Sequence, residues 1–570
     1  MRETNDIQTI RPHVSDVLDY EKDIKPYHVI EILAGTGAGK NYFVEKLAED
    51  HKTLIITSRA AKVKQTVAKQ TSKGNNYTRY IDYDSRNPIL LNSTPHDWQD
   101  FVKATEESYY IPGCYHEYEK RRTDVVTNAM VEYYYANCYI ENDHYSTIEN
   151  IYDIVVVDEV HSLFTDSSYQ TSPFYVNNLI FRLRFAFQRG INRRCKHLIL
   201  MTATPDVYDK NYIDGMGRYI CDKNYFSKLG RYKKYDLRKQ CYSVHPDNIW
   251  LRDTDQAWSD VEKIVNADNK VIYFFNHITD MLRFYLEKVK NGSIPEEKVA
   301  VSYSDTERRD KLTDKAKQNM ELLENTIADK SLLPDGKYLF LTTSRYKEGI
   351  DLLDNFYACF VESHNQNDIL QMMGRLRKGV KNLIIIENAK GFFDPAKYKN
   401  CLVDREEEQA ILHTLNDLLA KKDNKSKIDF IERIQNKHQY IRFNRVSHQF
   451  EYYFLREKAE DYIKQSVLTW KMGDKSHDEL LRDWFDNPDI IVYPYKSTDV
   501  IKIESFNKYF HSHYKIGEKY SLKDIEPLEK YIKTNLNITY LNSALKKINV
   551  EVKRSGNSKT KDIRIFAKIA

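Results

Sequence analysis

Residues Ala34 to Asn41 read AGTGAGKN; they follow directly on the apolar run HVIEIL (28–33) and open into NYFVEKLAED, which suits a helix. Strand, glycine-rich loop and helix in that order give the context in which loop amides and a helix N-terminus cradle phosphates while a lysine reaches the β and γ oxygens. Gly35, Thr36, Gly37, Ala38 and Gly39 are the candidate cradle, and Lys40 the candidate cation. Position 41 departs from the Ser or Thr of that pattern. The side-chain oxygen of Asn41 can still coordinate Mg²⁺ or one of its waters. The cluster is informative because glycine is scarce, with 18 in 570 residues, where an average usage of ~7% gives about forty.

Outward from this loop, short β-rich runs (HVIEIL, TLIITS, IYDIVVVD, HLILMTAT) alternate with longer polar or amphipathic stretches as far as residue 204. A second series begins near Lys270, with KVIYFFN, KVAVSYS, YLFLTTS, FYACFVES and NLIIIEN. Continuous apolar runs mark central strands of a parallel sheet, which are buried on both faces. The expected fold is therefore α/β with two tandem parallel-sheet domains, separated by a polar stretch, 242–268, that holds no strong strand. Phe274 and Phe275 continue one of the strand runs and are expected in the core.

After about Pro395 helical periodicity takes over. Near the end Ser521 and Asp524 offer a capping box, a helix is expected over 540–547, and the runs INVEVKR and IRIFAKI flank SGNSKTKD, a hairpin loop by composition. Helix, helix and hairpin with a basic loop is the outline of a winged helix. The predicted organisation is a first domain over 1–245, a second over 246–395, a helical accessory region over 396–497 and a winged-helix-like basic unit over 498–570.

Further chemistry sits at the ends of the apolar runs. IVVVD ends in Asp158, followed by Glu159, Val160 and His161. An acid closing a buried strand can hold the Mg²⁺ that bridges phosphates, and its neighbour can orient or deprotonate an attacking water. Asp158 and Glu159 fit those two roles. Thr202, Ala203 and Thr204 close HLILM in small residues suited to couple a phosphate site to something beyond it. In the second series TTSRYKEGID (342–351) follows a strand, and QMMGRLRK (371–378) opens a basic turn. Arginines carried by one domain to a nucleotide held by another stabilise the charge of a transferring phosphoryl group, which makes Arg375 and Arg377 candidate fingers.

The ordered set AGTGAGKN, TSR, DEVH, TATP, TTSRYKEGIDL and QMMGRLRK resembles motifs I, Ia, II, III, V and VI of the superfamily 2 DEAD/DEAH-like helicases, over about residues 34–378. The resemblance implies two RecA-like domains, with ATP and Mg²⁺ in the cleft and nucleic acid lying across both. It implies that Lys40 meets phosphates, Asp158 holds magnesium, Glu159 aims the water and His161 couples the domains. Gly349 and Asp351 would face the sugar side of the nucleotide, and Gln371 with Arg375 the γ-phosphate. Ser58 and Arg59 would touch a nucleic-acid backbone, and Thr127 is a similar candidate. The sequence departs from the family pattern in three places. Asn41 replaces Thr or Ser. In Q-x-x-G-R-x-x-R, Arg377 comes one residue early and Lys378 takes the usual slot, so the second finger is open between them. No glutamine-containing adenine motif is visible upstream, where Arg11, Pro12 and His13 lie near its expected place. The G-R-x-R form and the SR also resemble the herpesvirus origin-binding helicases.

Lys and Arg total 87 against 83 Asp and Glu, a net charge of +4, yet residues 531–570 alone carry nine bases and two acids. Phosphate contacts are electrostatic and sequence-independent, so this end reads as a polyanion-binding unit, with Lys546 and Lys547 on the expected recognition helix and Lys553, Arg554 and Lys559 on the wing. The function expected is an ATP-dependent DNA helicase or translocase of replication or recombination, of a phage or mobile-element type. Its partners would be single-stranded and branched or forked DNA, with RNA as an open alternative, together with replication or recombination proteins. A different class of function is an origin-binding initiator or assembly protein that uses ATP as a switch. No apolar run approaches the ~18–20 residues that cross a bilayer, the N-terminal stretch is polar, and the seven cysteines form no C-x-x-C pair. The expected location is the cytoplasm, that of the host if phage-encoded, with no membrane partner.

Overall fold

The computed structural model describes residues 12–73, 78–80, 122–133, 148–168, 170–191, 193–204, 231–241, 243–303, 314–343, 346, 350–387, 395–444, 447–493, 509–532, 541–542, 545, 550–554 and 563–568. The first lobe is built on a seven-stranded parallel sheet. Its strands are β1 (His28–Leu33), β2 (Thr53–Thr57), β3 (Thr78–Tyr80), β4 (Thr123–Thr127), β5 (Ile154–Asp158), β6 (His197–Thr202) and β7 (Tyr232–Asp236), in the order β3-β4-β2-β5-β6-β1-β7. The second lobe contains β8 (Pro246–Arg252), β9 (Val271–Phe274), β10 (Val299–Ser302), β11 (Leu339–Thr342), β12 (Phe356–Val361) and β13 (Val380–Ile386), in the order β10-β11-β9-β12-β13-β8. Counted from the first strand of each lobe, the two orders coincide position for position, so β8 stands where β1 stands and β12 where β5 stands.

All nine apolar runs named above form strands. Every residue of β5 and β6 is buried, as expected for strands covered on both faces. Phe274 and Phe275 are in the second core, Phe275 stacked on Tyr273 at 3.8 Å. The stretch 242–268 needs correction, because it holds β8 and the helix Thr254–Asn266. In PDNIWLR the apolar core is only the triplet Ile249, Trp250 and Leu251, with Ile249 and Leu251 buried, and the flanking Asp247, Asn248 and Arg252 are polar, so the average polarity hides the strand. Trp250 stacks on Tyr493 at 3.8 Å.

The region after the second lobe begins with helices Pro395–Ala420 and Asn424–Lys437 and the hairpin β14 (Ile441–Asn444) and β15 (Gln449–Tyr452). Next comes a helix, Phe454–Met472, that touches both lobes. At its start Tyr453 is buried in the first core, its hydroxyl 3.2 Å from both Ser167 Oγ and the Gln170 carbonyl. At its far end Trp470 is buried in the second core, stacked on His364 at 5.1 Å and His477 at 4.2 Å. Helix His477–Phe485 then leads to β16 (Ile491–Tyr493), which joins β8 in parallel as the second sheet's seventh strand.

The last unit has its own small core, including Phe510, Ile525, Leu528, Val552 and Phe566. It contains a three-stranded sheet, β17 (Lys519–Ser521), β18 (Val550–Arg554) and β19 (Ile563–Lys568), with β19 antiparallel to both others. The capping box is present: the Ser521 N–H donates to Asp524 Oδ2 at 2.8 Å, and the Asp524 N–H to Ser521 Oγ at 3.3 Å. Of the helix expected over 540–547 only 541, 542 and 545 are described, and the loop 555–562 lies outside the described residues. Among the described residues no helix is long and apolar enough to cross a membrane.

Candidate nucleotide site at the seam between the lobes

After β1 the chain turns through Gly37 and Gly39, at φ 87° and 85°, into the helix Lys40–Ala48. A side chain at Gly39 would be strained in that left-handed backbone and would press on His13, 3.2 Å away. The first N–H groups of a helix lack partners within it and carry its positive end, so this turn is built for an anion. The Lys40 ammonium is buried and folded back on the carbonyls of Ala34 and Gly35, at 2.8 and 3.1 Å. Burial pushes it down to about 8, against the pull of Glu159 and Asp158.

The end of β5 brings two buried carboxylates to the same corner. Glu159 sits at φ 52°, a backbone rare outside glycine, and its N–H donates to Asp158 Oδ1 at 2.9 Å. The other oxygen of Asp158 is paired with Lys62. His161 Nδ1 lies 2.8 Å from Thr202 Oγ1 and 3.5 Å from Glu159 Oε2.

The second lobe closes this corner. Arg375 Nη2 is 3.0 Å from Glu159 Oε1 and donates to Gln371 Oε1 at 2.7 Å, with the side chain almost wholly buried. Gln371 Nε2 reaches Glu159 Oε2 at 3.5 Å and Thr204 Oγ1 at 3.4 Å, and Thr204 also donates to Asn367. The Gly374 backbone closely approaches the Thr36 side chain: a Cβ at Gly374 would lie 2.3 Å from Thr36 Cβ. Burial pushes the Glu159 carboxyl up, but Arg375, then His161, Lys62 and Lys40, outweigh it and hold the group well below the ordinary carboxylate range.

A second set of bridges lies one helix face away. Gln65 Nε2 donates to Ser331 Oγ at 2.9 Å and to the Asp351 carbonyl at 3.0 Å, and Gln65 Oε1 accepts the Asp351 N–H at 2.7 Å. Lys69 meets the Asp351 carboxylate at 2.8 Å and Arg377 Nε meets it at 2.7 Å. Together these groups line a cavity of about 440 Å³ that also takes in residues 36–42. Its wall carries six basic side chains (Lys40, Lys62, Lys69, Lys73, Arg375, Arg377) against three carboxylates (Glu45, Glu159, Asp351), an excess of positive charge suited to a polyphosphate.

Gly35 through Asn41, Asp158, Glu159, Gln371, Arg375, Arg377 and Asp351 thus meet at one corner, and Gly349 lies outside the described residues. The carboxylate of Asp158 and the amide oxygen of Asn41 are hard oxygen donors that suit Mg²⁺. In three places the geometry differs from expectation. His161 Nδ1 faces groups of its own lobe, and the bonds that cross to Glu159 and Thr204 come from Gln371, Arg375 and Asn367. Arg377 is directed at Asp351 of its own lobe, and Lys378 is absent from the cavity wall. Arg59 is held in a bidentate pair with Asp166, both contacts 3.0 Å, and so is engaged within its own lobe. Ser58 follows β2 and Thr127 closes β4 at the same edge of the sheet. Lys553 is exposed on β18, 2.6 Å from Glu551, and Arg554 ends that strand; Lys546, Lys547 and Lys559 lie outside the described residues.

Lys62, Gln65 and Lys69 escaped the sequence reading. Their signal is the i, i+3, i+7 spacing on the helix Ala60–Ser72, which puts three long polar side chains on one face directly after a buried strand.

No family model and no curated protein matches the chain in sequence. Solved structures do match, among them S. cerevisiae Dbp5 bound to RNA and ADP BeF3, at 11% identity and a TM-score of 0.39 over 66% of this chain and 86% of that one. Mss116p bound to ssRNA and AMP-PNP matches at 12% and 0.38 over 82% and 89%, and the DUF1998 helicase MrfA bound to DNA at 12% and 0.37 over 76% and 56%. The two-lobed architecture is defined by the matching strand orders of the two sheets.

Proposed function

We propose that this chain is an ATP-driven nucleic-acid motor, a helicase or translocase of the superfamily 2 kind, that acts on DNA in replication or recombination. The observation that carries the reading is Arg375 of the second lobe lying 3.0 Å from Glu159 of the first, on the wall of the cavity that holds Lys40. Groups so divided form a complete site only while the lobes are together, which ties hydrolysis to their relative position.

The chemistry required is positioning and charge neutralisation. The loop amides and Lys40 hold the terminal phosphates, Lys40 leaving the carbonyls of Ala34 and Gly35 to do so. Glu159, kept ionised by its basic neighbours, accepts a hydrogen bond from the attacking water. Arg375 turns from Glu159 to the transferring phosphoryl group, held in range by Gln371. Asp158 and Asn41 would hold Mg²⁺, which when bound neutralises charge on the phosphate oxygens. Thr204, bonded to Asn367 and Gln371, passes the presence or loss of the terminal phosphate across the seam. DNA as the substrate is supported by the basic balance of residues 531–570 and by the hairpin β18–β19 on its own small core, which agrees with a winged helix.

The test is phosphate release from ATP with and without forked DNA, tailed duplexes or RNA, followed by strand displacement on the same substrates. Stimulation is expected with the native chain and its loss in Lys40→Ala and Glu159→Gln. Binding of ATP without phosphate release on any nucleic acid would replace the motor with a nucleotide-switched assembly protein. Ending the chain after Asn535 is expected to weaken duplex binding more than basal hydrolysis.

A further inference from the structure

Asp158 presents a problem of charge. Its carboxylate is 2% exposed and its neighbour Glu159 is 4% exposed. Buried charges are costly unless paired, and removing one partner leaves the other uncompensated. Glu159 has Arg375, whereas Asp158 is served by Lys62, whose side chain is 8% exposed. Lys62 lies in the first turn of the helix Ala60–Ser72, and its ammonium crosses the end of the sheet to the neighbouring strand, since β2 pairs directly with β5. It also lines the cavity beside Lys40 and Arg375.

We infer that Lys62 is a resident counter-cation of Asp158, a positioning residue that stands where a divalent ion would otherwise be required and so sets the metal dependence of nucleotide binding. This rests on reading the cavity as a nucleotide site. With Lys62 committed to Asp158, the other five basic groups of the wall face incoming phosphates while Asp158 is already neutralised. A nucleoside diphosphate is then accepted without a divalent ion, and a metal ion at Asp158 has to displace the ammonium. Without Lys62, phosphates approaching in the absence of metal meet an uncompensated carboxylate.

The experiment measures the dissociation constant of fluorescently labelled ADP for the full chain in EDTA and in excess Mg²⁺. For the native protein the two values are expected to agree within about threefold. In Lys62→Gln the ratio of the EDTA value to the Mg²⁺ value should rise by about tenfold or more, the worth of one charge-assisted hydrogen bond. Lys62→Arg should restore the native ratio, which general damage to the fold would not allow. A native protein that loses more than about tenfold in EDTA overturns the inference without recourse to any variant, as does an equal ratio in native and Lys62→Gln proteins. Absence of ADP binding in every protein, with and without Mg²⁺, would instead remove the nucleotide site itself, and the inference with it.

Discussion

The two lobes share one strand order, yet the same position in each is finished differently. After β1 the chain runs through glycines at positive φ into the helix Lys40–Ala48, whose N-terminal amides are left for a ligand. After β8 it runs through Asp253, whose carboxylate accepts from the Gln256 N–H at 2.7 Å and caps the helix Thr254–Asn266. One helix N-terminus is held open for a foreign anion and the other is closed by its own. Equivalent sheets therefore play unequal parts: in the proposed motor the first grips, and the second, with its cradle position sealed, contributes Arg375 from the helix that follows β12. The lobes differ again in self-sufficiency. The first closes its sheet with β7, next in the chain, whereas the second borrows β16 from beyond the helical region.

Removing the second lobe's contribution should have the largest effect. Arg375→Ala is expected to lower the rate of phosphate release by about 10³-fold or more while ADP still binds, as measured by single-turnover release beside nucleotide titration. Comparable loss of ADP binding would mean that both lobes grip and that the division is false. Next comes the contact that lets them meet. Gly374→Ala drives a methyl group into Thr36, and phosphate release should fall by about 10²-fold because the donors are displaced from the reacting phosphate. The far smaller Asp253→Ala should cost about 1 kcal/mol in thermal unfolding and leave ADP affinity unchanged. A change in affinity there would show that the sealed cradle also touches the ligand.

The smallest effect concerns the borrowed part. His477 Nδ1 lies 2.8 Å from Glu387 Oε1, at the close of the second sheet. Burial pushes this imidazole down, but the hydrogen bond and charge of Glu387 outweigh it, and the group sits above its ordinary value. Its contribution to stability is therefore complete below the unfolded imidazole range, near pH ~6.5, and lost as pH rises through the raised folded value. Melting temperature followed from pH 6 to 9 should decline by a few degrees more in the native chain than in His477→Gln, about the effect of one partly buried ion pair.

What was legible follows from which residues carry redundant signals. The apolar runs at β5 and β12 announce themselves because both faces are buried, and AGTGAGKN because glycine is scarce around it. Ser521 and Asp524 are legible because a capping box is local, needing only three residues of separation. β8 is obscured because its apolar triplet is flanked by Asp247, Asn248 and Arg252, and β16 because three residues give no period at all. Lys62 illustrates the deeper limit. It is one of 87 basic residues, on a helix whose pattern is that of a solvated surface, and only the adjacency of β2 and β5 reveals the carboxylate it serves. Arg377 shows the opposite case, an arginine named by its motif whose partner, Asp351, was itself assigned to the nucleotide.

The helix Phe454–Met472 has 19 residues, a rod roughly 28 Å long at 1.5 Å per residue. Tyr453 seats one end in the first core and Trp470 the other end in the second. A strut of fixed length, clamped at both ends, forbids simple parting of what it joins and leaves swivelling about its axis as the inexpensive motion. If the chain is the motor proposed above, each round of fuel consumption would turn the lobes like leaves on a hinge pin, and any track lying across them would be twisted as well as advanced.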